Sequence, residues 1–250
     1  MEALVLAAGL GTRIGKRHGI KPLLKIEDLP LIMFPIYSLQ SIGVGRFIIV
    51  ANQENIRAIS EHIREYGLKE SSFVLNSEPW RENGYSLVLG WKAVKGHVAF
   101  ITMSDHIYPP EVPYLLWKNY EENRGVDVFI AGDKKPVYIN IKEATLIETS
   151  EDLLVKKIGK GLDHWDFVDA GVLLFNRKAA KRAGEIAARV EVLRLSQLIE
   201  VLASEGLRVM VTDITGVPWT EVDTPEDLAE LRAGSRREIV KEVIKSWGER

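Results

Sequence analysis

The chain has no cysteine in its 250 residues. Disulfides, thiolate metal sites and a cysteine nucleophile are therefore excluded. Histidine is scarce as well, and its five residues include no close His-x-x-x-His pair of the kind that holds zinc. Long apolar runs are missing: no window approaches the about 20 uncharged apolar residues of a membrane-spanning helix. Nor is there an excess of one charge. Lys plus Arg total 33 and Asp plus Glu 35, a formal net charge of −2, whereas a general nucleic-acid binder carries a strongly basic domain. Met1-Glu2 leads straight into a strand-like run rather than the charged and apolar stretches of a secretion signal. The expectation is a cytoplasmic protein with no nucleic-acid partner and no membrane segment in this chain.

What is present suits one large α/β domain, since 250 residues bury a substantial core but fall short of two average domains with linkers. Ala3–Ala7, Arg46–Ala51, Ser72–Leu75 and Val98–Met103 read as strands, and three of them are continuous apolar runs. Between them Leu31–Ile42, Glu54–Tyr66 and Tyr85–Val94 read as helices. Such βα repeats predict a mostly parallel sheet covered by helices on both faces. The second half begins with a helix over Pro109–Asn123 and a strand over Val126–Ala131. From residue 132 to 163 it then breaks into short segments, Val137–Ile141, Thr145–Glu148 and Leu153–Ile158, which predict a small mixed or antiparallel subdomain. Val168–Phe175 and Arg208–Thr212 read as strands, and Lys178–Ala188 and Leu195–Ser204 as helices. Pro225–Lys245 closes the chain as a charged helix that Thr224 can cap. The working division is a first half over about 1–131, a second half over about 132–232 and a C-terminal helix over 225–250.

The first strand empties into Leu6-Ala7-Ala8-Gly9-Leu10-Gly11-Thr12-Arg13. Gly9 and Gly11 can take positive φ and let backbone N–H groups approach an anion, and Arg13 adds a permanently charged planar fork. No Gly-Lys-Ser/Thr follows, so this is not a P-loop. Ile14 stands where a dinucleotide fingerprint needs its third glycine. A tight βα turn with an incidental arginine would look similar. The continuation Lys21-Pro22-Leu23-Leu24 favours the phosphate cradle, because a proline there fixes a second cation beside the loop.

Triphosphate chemistry of this kind joins two anions, so it needs fixed cations, carboxylates for a divalent ion and a slot for the base. Arg13 is the candidate for the β- and γ-phosphates and Lys21 for the α-phosphate. Lys16, Arg17, His18 and Lys25 read as solvated neighbours. Mg²⁺ takes one or two carboxylates plus phosphate and water. Asp105, just past Val98–Met103, and Asp223, in Trp219-Thr220-Glu221-Val222-Asp223, are the candidate ligands, with Glu221 and Asp213 as runners-up. Asn83-Gly84-Tyr85-Ser86 opens a helix at another strand end. Asn83 can pair with a base edge there, and Gly84 allows close approach of a ring. Lys160, between Gly159 and Gly161, is the candidate for an acceptor phosphate, with Lys142 and Lys157 as alternatives.

The run Leu-x-x-Gly-x-Gly-x-Arg followed by Lys-Pro-Leu-Leu resembles the amino-terminal signature of the sugar-1-phosphate nucleotidyltransferases. The segments Asn83-Gly84-Tyr85-Ser86, Ser104-Asp105-His106, Val168-Asp169-Ala170-Gly171 and Trp219–Pro225 resemble the inositol-1-phosphate cytidylyltransferases within that superfamily, and the likeness covers about residues 2–232. It implies a Rossmann-like nucleotidyltransferase fold and Mg²⁺-dependent transfer from CTP to inositol 1-phosphate, yielding CDP-inositol for compatible-solute synthesis. It places Leu6, Ala7, Gly9, Gly11, Thr12, Asn83, Gly84 and Ser86 around the nucleotide. Its signature lysine falls on Lys21 and its two metal-binding aspartates on Asp105 and Asp223. Asp169 and Gly171 fall on the polyol-binding segment. Members of this family can be fused to a membrane-embedded transferase. Three alternatives stay open: a hexose-1-phosphate uridylyl- or thymidylyltransferase; a phosphocholine cytidylyltransferase using Trp165, Asp166 and Tyr138 as a cage; and a non-catalytic nucleotide-binding subunit.

Overall fold

A computed structural model describes residues 1–15, 18–68 and 70–248, so Lys16 and Arg17 lie outside the described residues. Four strands run parallel: β1 (Glu2–Ala7) lies between β4 (Arg46–Asn52) and β6 (Val98–Met103), and β5 (Ser71–Asn76) flanks β4. Alternation along β1 shows why these runs are apolar throughout. Ala3, Val5 and Ala7 enter one core, while Leu4 and Leu6 enter the other. The first core is filled by α1 (Met33–Ser41), α2 (Ile56–Glu65) and α4 (Glu111–Glu122). The second is filled by α3 (Glu82–Trp91), α5 (Arg177–Ala187) and α6 (Leu195–Ser204). Both faces of β1, β4 and β6 are covered, as a mainly parallel sheet requires.

Beyond β6 the sheet continues through β11 (Phe167–Asn176), β8 (Val128–Asp133) and β12 (Val209–Asp213). β11 runs antiparallel to β6 and β8, and β8 runs parallel to β12. The short strands β9 (Leu146–Thr149) and β10 (Val155–Gly159) form an antiparallel pair. They join the main sheet through Phe167 and Val168 of β11 rather than standing apart from it. On that edge β11 therefore pairs with β9 at one end and with β6 at the other, from Val172 onward. Between the two, at Asp169-Ala170-Gly171, neither strand is paired on that edge, the register against β8 shifts and Gly171 takes φ +70°. This break in the sheet leaves room for a cleft.

Two expectations change here. Val137–Ile141 forms no strand and lies in a bending segment that walls the cleft. The closing helix is two helices, α7 (Pro225–Ala233) and α8 (Arg237–Ser246). Gly234 leaves the helix in an extended conformation, with no room for a Cβ against the Glu230 carboxylate. Thr224 does cap α7, in a reciprocal box with Asp227. Both helices pack in a third cluster with Phe34 and the β2–β3 hairpin (Lys25–Ile26, Leu29–Pro30).

Candidate active site

Two cavities of about 650 and 380 Å³ open along the carboxyl ends of the parallel strands, where ligands of such sheets sit. They share Arg13, Glu82, Asn83, Met103, Asp105 and Asp223. The smaller is built on the glycine loop, and the larger reaches toward β11, β10 and the start of α6.

Local structure places each charge at this junction. Lys21 starts the 3₁₀ turn Lys21–Leu23, whose proline is buried, and the Ile32 N–H donates to the Pro22 carbonyl at 2.9 Å. Asp105 follows β6. Two very short strands join its loop to that of Asp223: β7 (His106–Ile107) pairs with β13 (Thr220–Glu221), and the Val222 N–H donates to the Asp105 carbonyl at 3.0 Å. Asp223 is held by its N–H donating to the Asp227 carboxylate of α7 at 3.0 Å. The helix cap is Thr224, which leaves the Asp223 side chain for the cleft.

The result is a compact ionic cluster. The Lys21 ammonium donates to Asp105 Oδ2 at 2.5 Å and to Asp223 Oδ1 at 2.8 Å. Arg13 reaches Asp223 Oδ2 at 2.8 Å, although its side chain remains 56% exposed. His106 Nδ1 pairs with Asp105 Oδ1 at 2.9 Å, and its Nε2 lies 3.4 Å from Glu221. Burial works against the Lys21 ammonium, yet Asp105 and Asp223 hold its pKa above the ordinary lysine value. Burial opposes the Asp105 anion, but the adjacent Lys21 and His106 hold it well below the usual carboxylate range. Burial also disfavours the His106 imidazolium. The hydrogen bond and charge of Asp105, with Glu221 and Asp223 beyond it, push its pKa up to about 9. Glu221 is raised by burial, with His106 opposing and Asp223 and Asp105 adding to the rise.

The cradle differs in detail from its expectation. Gly11 has φ +61°, but Gly9 does not take a positive φ and a Cβ there would meet nothing within 4 Å. The loop is shaped from behind: Asn52 Nδ2 donates to the Ala8 carbonyl at 2.9 Å and Asn55 Nδ2 to the Ala7 carbonyl at 2.8 Å. Sequence reasoning missed both asparagines. Their signal is an amide side chain directly past a fully apolar strand, in Val50-Ala51-Asn52.

The Asn83–Ser86 segment is also used differently. Asn83 lines both cavities, but its Oδ1 accepts from the Leu195 N–H at 2.7 Å and so closes the start of α6. Gly84 makes no room for a ring. A Cβ there would lie 2.6 Å from the Leu193 carbonyl oxygen, so the glycine lets α3 pack against the chain entering α6. Buried Ser86 accepts from Asn76 Nδ2 at 3.0 Å and lines the smaller cavity. Asn83→Ala will therefore lower stability by about 1 kcal/mol, the usual cost of a lost cap. Thermal denaturation checks this; an unchanged melting temperature would mean the α6 contact carries no weight.

On the far side, Asp169 is half-buried and accepts from the Gly171 N–H at 2.8 Å; desolvation raises its pKa, with Gly171 and His106 opposing. Trp219 lies parallel to His106, with centroids 6.2 Å apart, and donates from Nε1 to Asp133 at 2.9 Å. Lys160 lines the larger cavity, 3.5 Å from Glu143. Of the other charged candidates, Lys157 pairs with Glu148 and Asp213 with Lys134, and neither they nor Lys142 and Lys25 line either cavity. The choline cage does not assemble. Trp165 and Tyr138 pack in two different apolar clusters, Asp166 bonds to Thr149, and none of the three lines a cavity.

The glycine loop thus sits at the end of the first parallel strand, where two acids, Asp105 and Asp223, and two cations, Arg13 and Lys21, converge. The chain belongs to the MobA-like NTP transferase domain family, whose pattern matches residues 3–213. Among curated proteins it is 33% identical to the bifunctional IPC transferase and DIPP synthase of Thermococcus kodakarensis, over 99% of this chain and 52% of that one. The protein of the same name from Aquifex aeolicus is 32% identical, over 99% and 54%. The chain thus spans about half the length of the curated relatives it matches. Among solved structures, that of the inositol-1-phosphate CTP transferase from T. maritima superposes with a TM-score of 0.86, at 25% identity over 99% and 96% of the two chains.

Proposed function

We propose that this protein transfers the CMP group of CTP to inositol 1-phosphate, giving CDP-inositol and pyrophosphate with Mg²⁺ as cofactor. The observation that carries the reading is the bridge of Lys21 between Asp105 and Asp223 at the shared wall of two cavities. The name of the solved structure from T. maritima supplies the substrate pair.

The residues fit a divalent ion. Two carboxylates from separate loops already converge on one cationic nitrogen. Hard oxygen donors, one or two in number, are what Mg²⁺ takes from a protein beside substrate phosphates. Asp105 and Asp223 would hold the ion, which when bound supplies charge neutralisation across the phosphates.

This chain's own groups do the rest. The glycine loop cradles the triphosphate through backbone N–H groups, and Arg13 neutralises the β- and γ-phosphates and the departing pyrophosphate. Lys21 meets the charge that develops at the α-phosphate. A phosphate oxygen of the acceptor attacks the α-phosphorus, a new P–O bond forms, and the bond to the β-phosphate oxygen breaks. No covalent enzyme intermediate is needed. Asp169 accepts hydrogen bonds from polyol hydroxyls, and Lys160 faces the acceptor phosphate across the larger cavity. Among the described residues no helix is long and apolar enough to cross a membrane, so a membrane-embedded transferase would be a separate segment or partner.

A matrix of nucleoside triphosphates against acceptor phosphates, read by pyrophosphate release, tests the assignment. Release confined to CTP with inositol 1-phosphate is the expected result. Release confined to UTP or dTTP with a hexose phosphate would replace it.

A further inference from the structure

Every oxygen of the two acids at the junction already has a side-chain partner. Asp105 Oδ1 meets His106 and Oδ2 meets Lys21, while Asp223 Oδ1 meets Lys21 and Oδ2 meets Arg13. A divalent ion placed where the two acids converge would meet the Lys21 ammonium at contact distance, so the two cations compete for that place. The three partners are not equally free to leave. His106 is buried, stacked beside Trp219 and tied to Glu221. Arg13 touches one acid alone and from the outer side. Lys21 is the group that touches both acids, and it occupies the point where their two oxygens converge.

Lys21 is also suited to move. Its backbone is fixed by the Lys21–Leu23 turn, but its ammonium is a point charge on a flexible four-carbon stem. The side chain borders the nucleotide-side cavity, so a short swing carries the nitrogen from the acids toward that cavity's interior. Leaving the acids unaided would leave one cation and two anions, all partly buried, without their partners, which is costly. The move becomes favourable when a divalent ion replaces the ammonium on the acids and a triphosphate receives it on the other side.

We propose that Lys21 is a built-in surrogate for the divalent ion, holding the metal position until nucleotide arrives. The inference rests on the assignment of Asp105 and Asp223 as metal ligands. In the nucleotide-free protein the ammonium keeps the acids paired and the junction ordered. Metal and triphosphate then bind with positive coupling, because each makes the lysine's departure easier for the other, and the coupling is reciprocal. The nucleotide-free protein therefore binds free divalent ions weakly.

The test is a titration of the nucleotide-free protein with Mn²⁺, followed by the loss of the free-ion signal in electron paramagnetic resonance. Wild type is expected to bind Mn²⁺ weakly. Lys21→Met and Lys21→Gln are expected to bind it about 5- to 150-fold more tightly, the usual span of coupling between linked sites. Adding Asp223→Asn to Lys21→Met should abolish that gain. Mn²⁺ should likewise raise the melting temperature of the lysine variants and not that of wild type. Equal Mn²⁺ affinity in wild type and both variants would overturn the proposal. Should the variants fail to fold alone, folding on addition of Mn²⁺ supports it and failure to fold with Mn²⁺ overturns it. Pyrophosphate release is read separately: a protein inactive with CTP and inositol 1-phosphate sinks the substrate assignment, while the Mn²⁺ titration still decides the exchange.

Discussion

Asp105→Ala and Asp223→Ala will each lower kcat by about 10³-fold or more while nucleotide still binds, a loss on the scale of a preorganised electrostatic group. Charge balance explains the split. In the junction Asp105, Asp223 and Glu221 pair with Arg13, Lys21 and His106. Removing one acid takes a negative charge from the wall that meets the triphosphate and frees Lys21 or Arg13 to pair with it, so nucleotide is still attracted. Positive charge alone does not align the two phosphates, so turnover falls without a matching fall in affinity. Steady-state kinetics with CTP binding measured by calorimetry checks both halves. A kcat within tenfold of wild type in either variant would show that the two acids are not the metal ligands.

Gly171→Ala will cost about 3 kcal/mol of stability and most of the activity. Two independent penalties add. At φ +70° an L side chain pays about 1–2 kcal/mol in the left-handed region. Its Cβ would also stand 2.4 Å from His106 Nε2, and overpacking a dense interior costs about 1–3 kcal/mol. The ring cannot retreat easily, because Asp105 and Glu221 hold its two nitrogens and Trp219 lies along its face. For a chain of this size about 3 kcal/mol corresponds to about 6–12 °C in melting temperature. The same displacement of His106 would pull on Asp105. A variant that melts within 2 °C of wild type (about half a kcal/mol) would mean that β11 relaxes freely at this point.

These two cases differ in how far they were legible. The four charges at the junction stand out in the sequence because each lies beside a strand end or a fixed turn, and parallel sheets collect their strand ends on one rim. Strand β6 and helix α6 were legible to the residue, since continuous apolar runs and 3.6-residue periodicity are local signals. Gly234 was not. Its break between α7 and α8 depends on the Glu230 carboxylate beside it, so a charged amphipathic pattern ran on through it. Gly84 was read as making space for a ligand because a glycine beside Asn83 at a helix start has the same letters whether ligand or backbone approaches it.

By itself the sequence determined the layered α/β plan, the parallel strands and the glycine loop, all of which follow from periodicity and backbone freedom within a few residues. Only the tertiary structure decided how the loops of Asp105 and Asp223 are tied together, through a ladder of two residues on each side. It also decided that His106, Glu221 and Trp219 form one unit, that Asn52 and Asn55 pin the glycine loop, and that β11 breaks open at Gly171. Each of these joins residues far apart in the chain. Their energies come from burial and from paired charges, and neither is defined until the sheet has brought the partners into contact.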